Sequence, residues 1–497
     1  LNYIHLAFPT AISKFSYAFH DDKTHGIDVS SIPVGTTLVV APDSSSNEYD
    51  THKQLAEQGI DVVVLDHHQA DKVSEYACVV NNQLCDYPNK ALSGVGIVYK
   101  VCQRFDELMG TEHAGKLVDL AMLGNVGDMM DIRSYETKYI ISQGINHLRN
   151  PFIKGMAEHN AYSIGDSLTP IGVAFYIVPL INAITRVGSQ QEKQLLFKSM
   201  LEWEAYNLVP STKRGCSGQT ETIVEQAVRT CTNVKNRQTR AQETAVDALE
   251  NMIADDGLLE HKILIFRLDQ SLGITPEIRG LIANKFMAKY QRPVLMLSLT
   301  DYEGGKMWAG SARGYERSKL TDFRQLCRDS GLIIDAQGHP NAFGFSIDES
   351  KMEEFIKYSD EKLKNVEFSP SYKVDFIYQS STLNPQDILD IGSMKTLWGQ
   401  NINEALVVVE GVHVTRNMVT LMSRDKRPTL KIELPNGVAC IKFRASEEEY
   451  ESLLAEETGC VVINIVGKCE VNRYYNSVTP QIIIEDYEVV DRMNYYF

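Results

Sequence analysis

The 497-residue chain has nine cysteines but no Cys-x-x-Cys pair and no zinc-ribbon spacing. That excludes the short-spaced zinc and dithiol motifs. Scattered cysteines in a chain this long read as buried, reduced thiols of a cytoplasmic protein. Long hydrophobic runs are missing: nothing approaches the roughly 20 apolar residues that span a bilayer. No signal-peptide pattern is visible, so no membrane partner is expected. Positive charge is also in short supply. Lys and Arg number 49 against 65 Asp and Glu, a formal net charge of −16. This argues against a sequence-independent nucleic-acid coat protein. It leaves room for an enzyme that grips a phosphate strand in a local groove, and for a metal site, which needs clustered carboxylates. Internal repeats and low-complexity tracts are absent. The first residue is Leu1 rather than Met, which implies a processed start or a missing N-terminal piece.

What is present is ordinary globular material, 43% hydrophobic and 23% charged, long enough for about three domains. Within it, Val62-Val63-Val64-Leu65-Asp66-His67-His68 is an apolar run that ends in one carboxylate and two imidazoles. The run reads as a buried parallel strand, and polar residues just past such a strand sit where open α/β sheets bind ligands. Asp and His offer oxygen and nitrogen ligands suited to Mn²⁺, Mg²⁺ or Zn²⁺. Upstream, Thr37 to Asp43 is a second apolar strand ending in Asp. Glu48 to Gly59 between them has helical spacing and a Gly stop. The resulting β-α-β unit brings both strand ends to one sheet edge. Asp43 and His67 can then converge on one ion.

Further along, Leu92 to Tyr99 opens a helix with small residues, for which close helix–sheet packing is the favoured reading. The apolar stretch Leu117 to Leu123 leads into Gly-flanked Asp128, a ligand candidate or a helix cap. Residues 151–250 read as mainly helical, and Val234 to Ala254 as a long amphipathic rod. Lys213-Arg214-Gly215 reads as a solvated loop. A new α/β unit starts at His261. It has strands at Lys262 to Phe266 and Pro293 to Ser298, and between them a helix opened by Thr275-Pro276. It carries Gly310-Ser311-Ala312-Arg313 and a turn around Gly338-His339, whose backbone N–H groups could seat a phosphate. Past about residue 370, short strands with turns such as Pro435-Asn436-Gly437 suggest a small β-barrel. Arg473, Tyr474 and Tyr475 are base-stacking candidates there.

At Asp66-His67-His68 the chain resembles the DHH phosphoesterases, and its further motifs resemble the RecJ-like single-strand exonucleases among them. In order these are Pro42-Asp43-Ser44, Leu92 to Gly96, Gly124 to Asp128, Ile181 to Arg186, Gly310 to Arg313, Gly338-His339 and Leu397-Trp398-Gly399-Gln400. The resemblance implies a parallel-sheet DHH domain over 1–190, a helical connector over 191–255, a smaller α/β DHHA1 domain over 256–368 and an oligonucleotide-binding-like β-barrel over 369–497. The first family motif, Asp-x-Asp, is missing and is expected upstream of Leu1, because Phe19 to Gly26 resembles the segment that follows it. Gln337 replaces a family Gly.

The resemblance also implies two divalent ions, Mn²⁺ with Mg²⁺ as the alternative, held by Asp43, His67 and Asp128. Asp66 and His68 would orient ligands or touch substrate. Arg186, Ser311, Arg313, Gly338 and His339 would bind a terminal phosphate. The implied activity is 5′→3′ exonucleolytic cleavage of single-stranded DNA in repair, recombination or replication, with a single-strand-binding protein or a replication or recombination factor as partner. Two rival readings remain. One is a phosphodiesterase for oligonucleotides or cyclic dinucleotides. The other is a nucleic-acid-binding factor without catalysis.

Overall fold

The computed structural model describes all residues except 20–25, 166, 256, 270–271, 369, 424–427, 457–458, 475–476 and 495–497. They form two compact units. The first joins Leu1–Pro179, Leu195–Val228 and Lys373–Phe497; the second joins Leu180–Gln194 and Arg229–Tyr372.

The first unit opens with the expected β-α-β pattern. Strand β1 is Leu38–Pro42, helix α1 is Tyr49–Glu57, β2 is Asp61–Asp66 and β3 is Cys78–Asn81. The three strands are parallel in the order β1-β2-β3, with Pro42 level with Leu65. Both β1 and β2 therefore end at the same sheet edge. Leu55 of α1 packs on Val62 and Val64, all buried. Each such side chain contributes about 1.5–3 kcal/mol on leaving water. Helix α2 (Gly94–Met109) starts at Ser93, whose hydroxyl accepts from the Gly96 N–H at 3.3 Å. Helix α3 (Val118–Gly127) follows and packs on α4 (Tyr135–Asn146).

Residues Val173–Ile177 form a π-helical turn. The surrounding stretch Pro170–Val187 has the length and hydropathy (1.5) of a membrane span and is 39% buried. Core helices of other proteins share that length and hydropathy, and this one carries Arg186 in its last turn. Strands Leu208–Pro210 and Thr220–Thr222 make a small hairpin that was expected to be helical. Lys213 lies in its turn, 3.5 Å from Glu221. Helix α5 (Ile223–Asp255) is 33 residues long, and the boundary between the two units falls within it.

The second unit carries β4 (Leu264–Leu268), α6 (Pro276–Tyr290), β5 (Val294–Tyr302), β6 (Gly305–Arg313), α7 (Phe323–Asp329), β7 (Ile333–His339), β8 (Ala342–Asp348) and α8 (Met352–Leu363). The sheet order is β4-β5-β6-β8-β7. One face packs on α6 and the second half of α5 through Phe266, Met296 and Ile282. The other face holds Ala312, Phe343 and Phe345 against α7 and α8.

The C-terminal part of the first unit is a mixed sheet. It contains β9 (Phe376–Gln379), helix α9 (Pro385–Ser393), β10 (Leu406–Val414), β11 (Val419–Met422), β12 (Thr429–Glu433), β13 (Ala439–Phe443), helix α10 (Glu447–Ser452), β14 (Gly459–Tyr474) and β15 (Ser477–Asn494). The order is β9-β10-β14-β15-β13-β12-β11. Register shifts in β10 and β14 interrupt the ladder, and one apolar cluster joins its strands with α9. Among the described residues no hydrogen-bonded pairing joins β9 to β11. The expected C-terminal β-domain is thus seen as one seven-stranded sheet. Tyr475 lies outside the described residues.

Candidate active site

The sheet edge of the first unit gathers the acidic and imidazole side chains. Asp43 follows β1 and Asp66 ends β2. The Asp43 backbone is at φ 62°, a left-handed conformation that short polar residues tolerate. This turns its carboxylate toward β2, where its oxygen lies 3.3 Å from His67 Nε2. Asp128 arrives from a different element, as the C-terminal cap of α3. Its oxygen lies 3.2 Å from the same nitrogen. A carboxylate at a helix C-terminus is opposed by the helix dipole, so its placement needs a positive partner nearby.

Electrostatics follow from this crowding. Burial disfavours the charged imidazole of His67, which is only 10% exposed. The Asp43 hydrogen bond and the charges of Asp128 and Asp43 outweigh it and raise the pKa. Asp128 is pushed up by burial and by Asp43, against the pull of His67. Asp66 is almost fully buried. Burial alone would raise it, yet bonds from Ser46, the His68 ring and the His67 and His68 N–H groups hold it low. His68 Nδ1 sits 2.8 Å from Asp66, which fixes the ring and leaves Nε2 free for another ligand. Ligand atoms of Asp43, His67 and His68 all lie within 4.8 Å of one another.

This donor set fits a divalent cation. A single imidazole nitrogen faces two carboxylates, and oxygen and nitrogen donors converge from three elements. An imidazole braced by a buried carboxylate is a common metal-ligand arrangement. The sequence assigns His68 an orienting role or a contact with substrate. The structure groups it with Asp43 and His67 as a candidate ligand.

Gly94 has a site role that its sequence setting did not reveal. A Cβ there would lie 2.2 Å from Asp43 Oδ1, so the start of α2 makes room for the carboxylate. Behind it, buried Asn125 accepts from the Ser93 N–H and hydroxyl. Residues 20–25, from the segment Phe19 to Gly26, lie outside the described residues.

The second unit gathers cations. Arg313 ends β6, level with Ala342 of β8, which is in turn level with His339 of β7. Ser311 stands two residues earlier on the same face, level with Gly344 and Gln337. His339 is exposed and two strands away from Arg313, about 10 Å at ordinary strand spacing. Gly338 is at φ 132°, and its carbonyl accepts from Arg324. The Arg313 guanidinium lies over α6 at Gly280, where a Cβ would fall 2.3 Å from Nη2.

Burial lowers the Arg313 pKa, and Arg186 lowers it further. Burial, Lys285 and Arg186 do the same to Lys235 on α5. None of these four cations has an ion pair among the described residues. Lys235 donates to Gln238 at 2.9 Å. Buried Gln238 and Gln242 each keep an unpartnered amide nitrogen. Sequence reasoning found Arg186 and Arg313 but neither lysine, because a Lys on an amphipathic helix looks like any solvated one.

Fold and site together define a phosphoesterase architecture of the DHH type. The DHH family, N-terminal domain, matches residues 4–125, and the DHHA1 domain matches residues 260–365. The putative SPbeta prophage-derived single-strand DNA-specific exonuclease YorK of Bacillus subtilis (strain 168) is 34% identical over 494 residues, 99% of this chain and 84% of its own length. The single-stranded-DNA-specific exonuclease RecJ of the same organism is 24% identical, over 91% of this chain and 54% of its own. The crystal structure of RecJ from Thermus thermophilus in complex with Mn²⁺ superposes with a TM-score of 0.65 at 17% identity. It covers 92% of this chain, which spans 62% of that structure. The chain belongs to the RecJ-like branch of the DHH/DHHA1 family.

Proposed function

We propose that this chain is a divalent-metal-dependent exonuclease that hydrolyses single-stranded DNA in the 5′→3′ direction. The observation that carries the reading is the convergence of Asp43 and Asp128 on His67 Nε2, at 3.3 and 3.2 Å. Asp43, His67 and Asp128 hold the cation site, with His68 beside them. Two ions, Mn²⁺ or in its place Mg²⁺, would supply a bound water of lowered pKa and neutralise charge on the scissile phosphate. Asp66 keeps His68 oriented. Arg313 and Arg186 take the terminal phosphate through charge-assisted hydrogen bonds, with Ser311, Gly338 and His339 on the same sheet adding donors. A pocket that holds a strand end makes cleavage exonucleolytic.

The matched relatives are named for single-strand DNA, and the C-terminal sheet offers surface for a long strand. Both favour that substrate over a cyclic dinucleotide. The divisions at about residues 190, 255 and 368 are part of the same reading, as is a cytoplasmic setting, in keeping with nine free cysteines. A single-strand-binding protein or a replication or recombination factor is the partner to seek.

The test is degradation of a 5′-phosphorylated single strand, labelled at one end or the other, with Mn²⁺ and with EDTA. Stepwise, metal-dependent loss from the 5′ end is expected. Internal cuts, or loss from the 3′ end first, would overturn the exonuclease or its polarity.

A further inference from the structure

The loop that carries Asp128 is held at both ends, and its far end is held by the C-terminal part of the chain. At the near end Asp128 and Met130 donate their N–H groups back to Gly124 and Asn125 of α3. Met129 between them is in the left-handed region, φ 54°. Beyond it, the side chain of Asn401 lies on the Asp131 side of the turn and helps to hold that carboxyl low. The Ile132 N–H donates to the Gln400 carbonyl at 3.3 Å. Gly399 lies against Ile132 so closely that a Cβ would sit 2.8 Å from Ile132 Cδ1 and 3.6 Å from Pro170. Gly399 and Ile402 close the turn with reciprocal backbone bonds of 2.9 and 3.1 Å, and Asn401 sits at φ 64° within it. The turn leads on toward β10.

We infer that the Gly399–Asn401 turn is a clasp that positions Asp128 for the cation, so that the C-terminal sheet is mechanically tied to the metal site. The inference rests on the proposed role of Asp128 as a ligand. The reasoning is geometric. A carboxylate on a short loop is only as well placed as the loop, and ligand-orienting partners change metal affinity by about 10–100-fold. Gly399, Gln400 and Asn401 touch no reacting group. They are positioning residues that act through residues 131–132.

Two substitutions separate the clasp from simple loss of fold. Asn401→Gly keeps the left-handed turn accessible and removes the amide that acts on Asp131. Gly399→Val crowds Ile132, and pairing it with Ile132→Ala restores the space. The full chain is titrated with Mn²⁺, following free Mn²⁺ by electron paramagnetic resonance alongside cleavage rate and unfolding temperature. Each single variant should bind Mn²⁺ about tenfold more weakly, cleave at the wild-type rate once Mn²⁺ saturates, and unfold at the wild-type temperature. The double variant should recover affinity. Unchanged Mn²⁺ affinity in both single variants, with Asp128→Ala weakened, would overturn the clasp alone. Unchanged affinity in Asp128→Ala would overturn the ligand reading on which it rests.

Discussion

In the first unit His67 already faces its countercharges, whereas in the second Arg186, Lys235, Lys285 and Arg313 gather without an ion pair among the described residues. The difference shows in the direction of the shifts: His67 is raised by its carboxylate neighbours, while Arg313 and Lys235 are lowered by burial and by like charge. One site is internally balanced and tolerates a small cation among its ligands. The other is a concentration of like charge that a bound anion would relieve. Like charges cost energy when crowded, so the fold itself must hold them together. Gly280 shows how: without a side chain, it lets the guanidinium of Arg313 lie over α6.

The comparison breaks most sharply where a ligand is removed. Asp128→Ala and His67→Ala should each lower cleavage on the order of a thousandfold, the several kcal/mol expected of metal-stabilised charge. Strand binding and unfolding temperature should persist. Steady-state cleavage and a filter-binding assay check this.

Arg313→Ala comes next. Losing charge-assisted bonds worth about 1.5–3 kcal/mol should slow 5′-phosphorylated strands about ten- to a hundredfold. Strands with a 5′-hydroxyl should be unaffected. Gly280→Ala sharpens the same point with a smaller effect. Helix propensity favours Ala by up to about 1 kcal/mol, so the unfolding temperature should hold or rise. The displaced guanidinium should still raise KM several-fold for phosphorylated ends. Lower stability with unchanged KM would contradict the crowding.

The smallest effect lies on the acid side of the first unit. Hydrogen bonds from Arg133, with further help from Asn401, hold the Asp131 pKa at about 2, below the ordinary 3.8. A depressed carboxylate stabilises the fold above its unfolded pKa, and that contribution fades as pH falls from about 4 through 2. Asp131→Asn should flatten the dependence of unfolding temperature on pH in that window, and only slightly, because the Arg133 partner is exposed.

The two regions also differ in how far they could be read from the chain. Asp66-His67-His68 lies on one strand end, and the β-α-β rule brings Asp43 to the same edge. Local pattern was therefore enough for both. Asp128 was marked by Gly after an apolar run; it caps α3, and its carboxylate also faces His67. In the second unit Arg313 and Ser311 share a face by strand alternation, but Lys235 and Lys285 come from two helices whose packing no local spacing encodes. Gly94, Gly280 and Gly399 were legible as glycines, not as clearances for Asp43, Arg313 and Ile132, because clearance depends on a distant partner. The long strands β14 and β15 were under-read, since their exposed ends alternate too little to stand out. The hairpin at Leu208–Pro210 hid inside a helical stretch because each of its strands is only three residues long.

If one cluster acts on the metal and the other on the phosphate, the ratio of cleavage rates on 5′-phosphorylated and 5′-hydroxyl single strands at saturating Mn²⁺ separates them, taken for the wild type, Arg313→Ala and His68→Ala. The account predicts that Arg313→Ala brings the ratio toward one while retaining turnover on hydroxyl ends. It predicts that His68→Ala lowers both rates and leaves the ratio as it was. A ratio that collapses in both variants, or in neither, would contradict it.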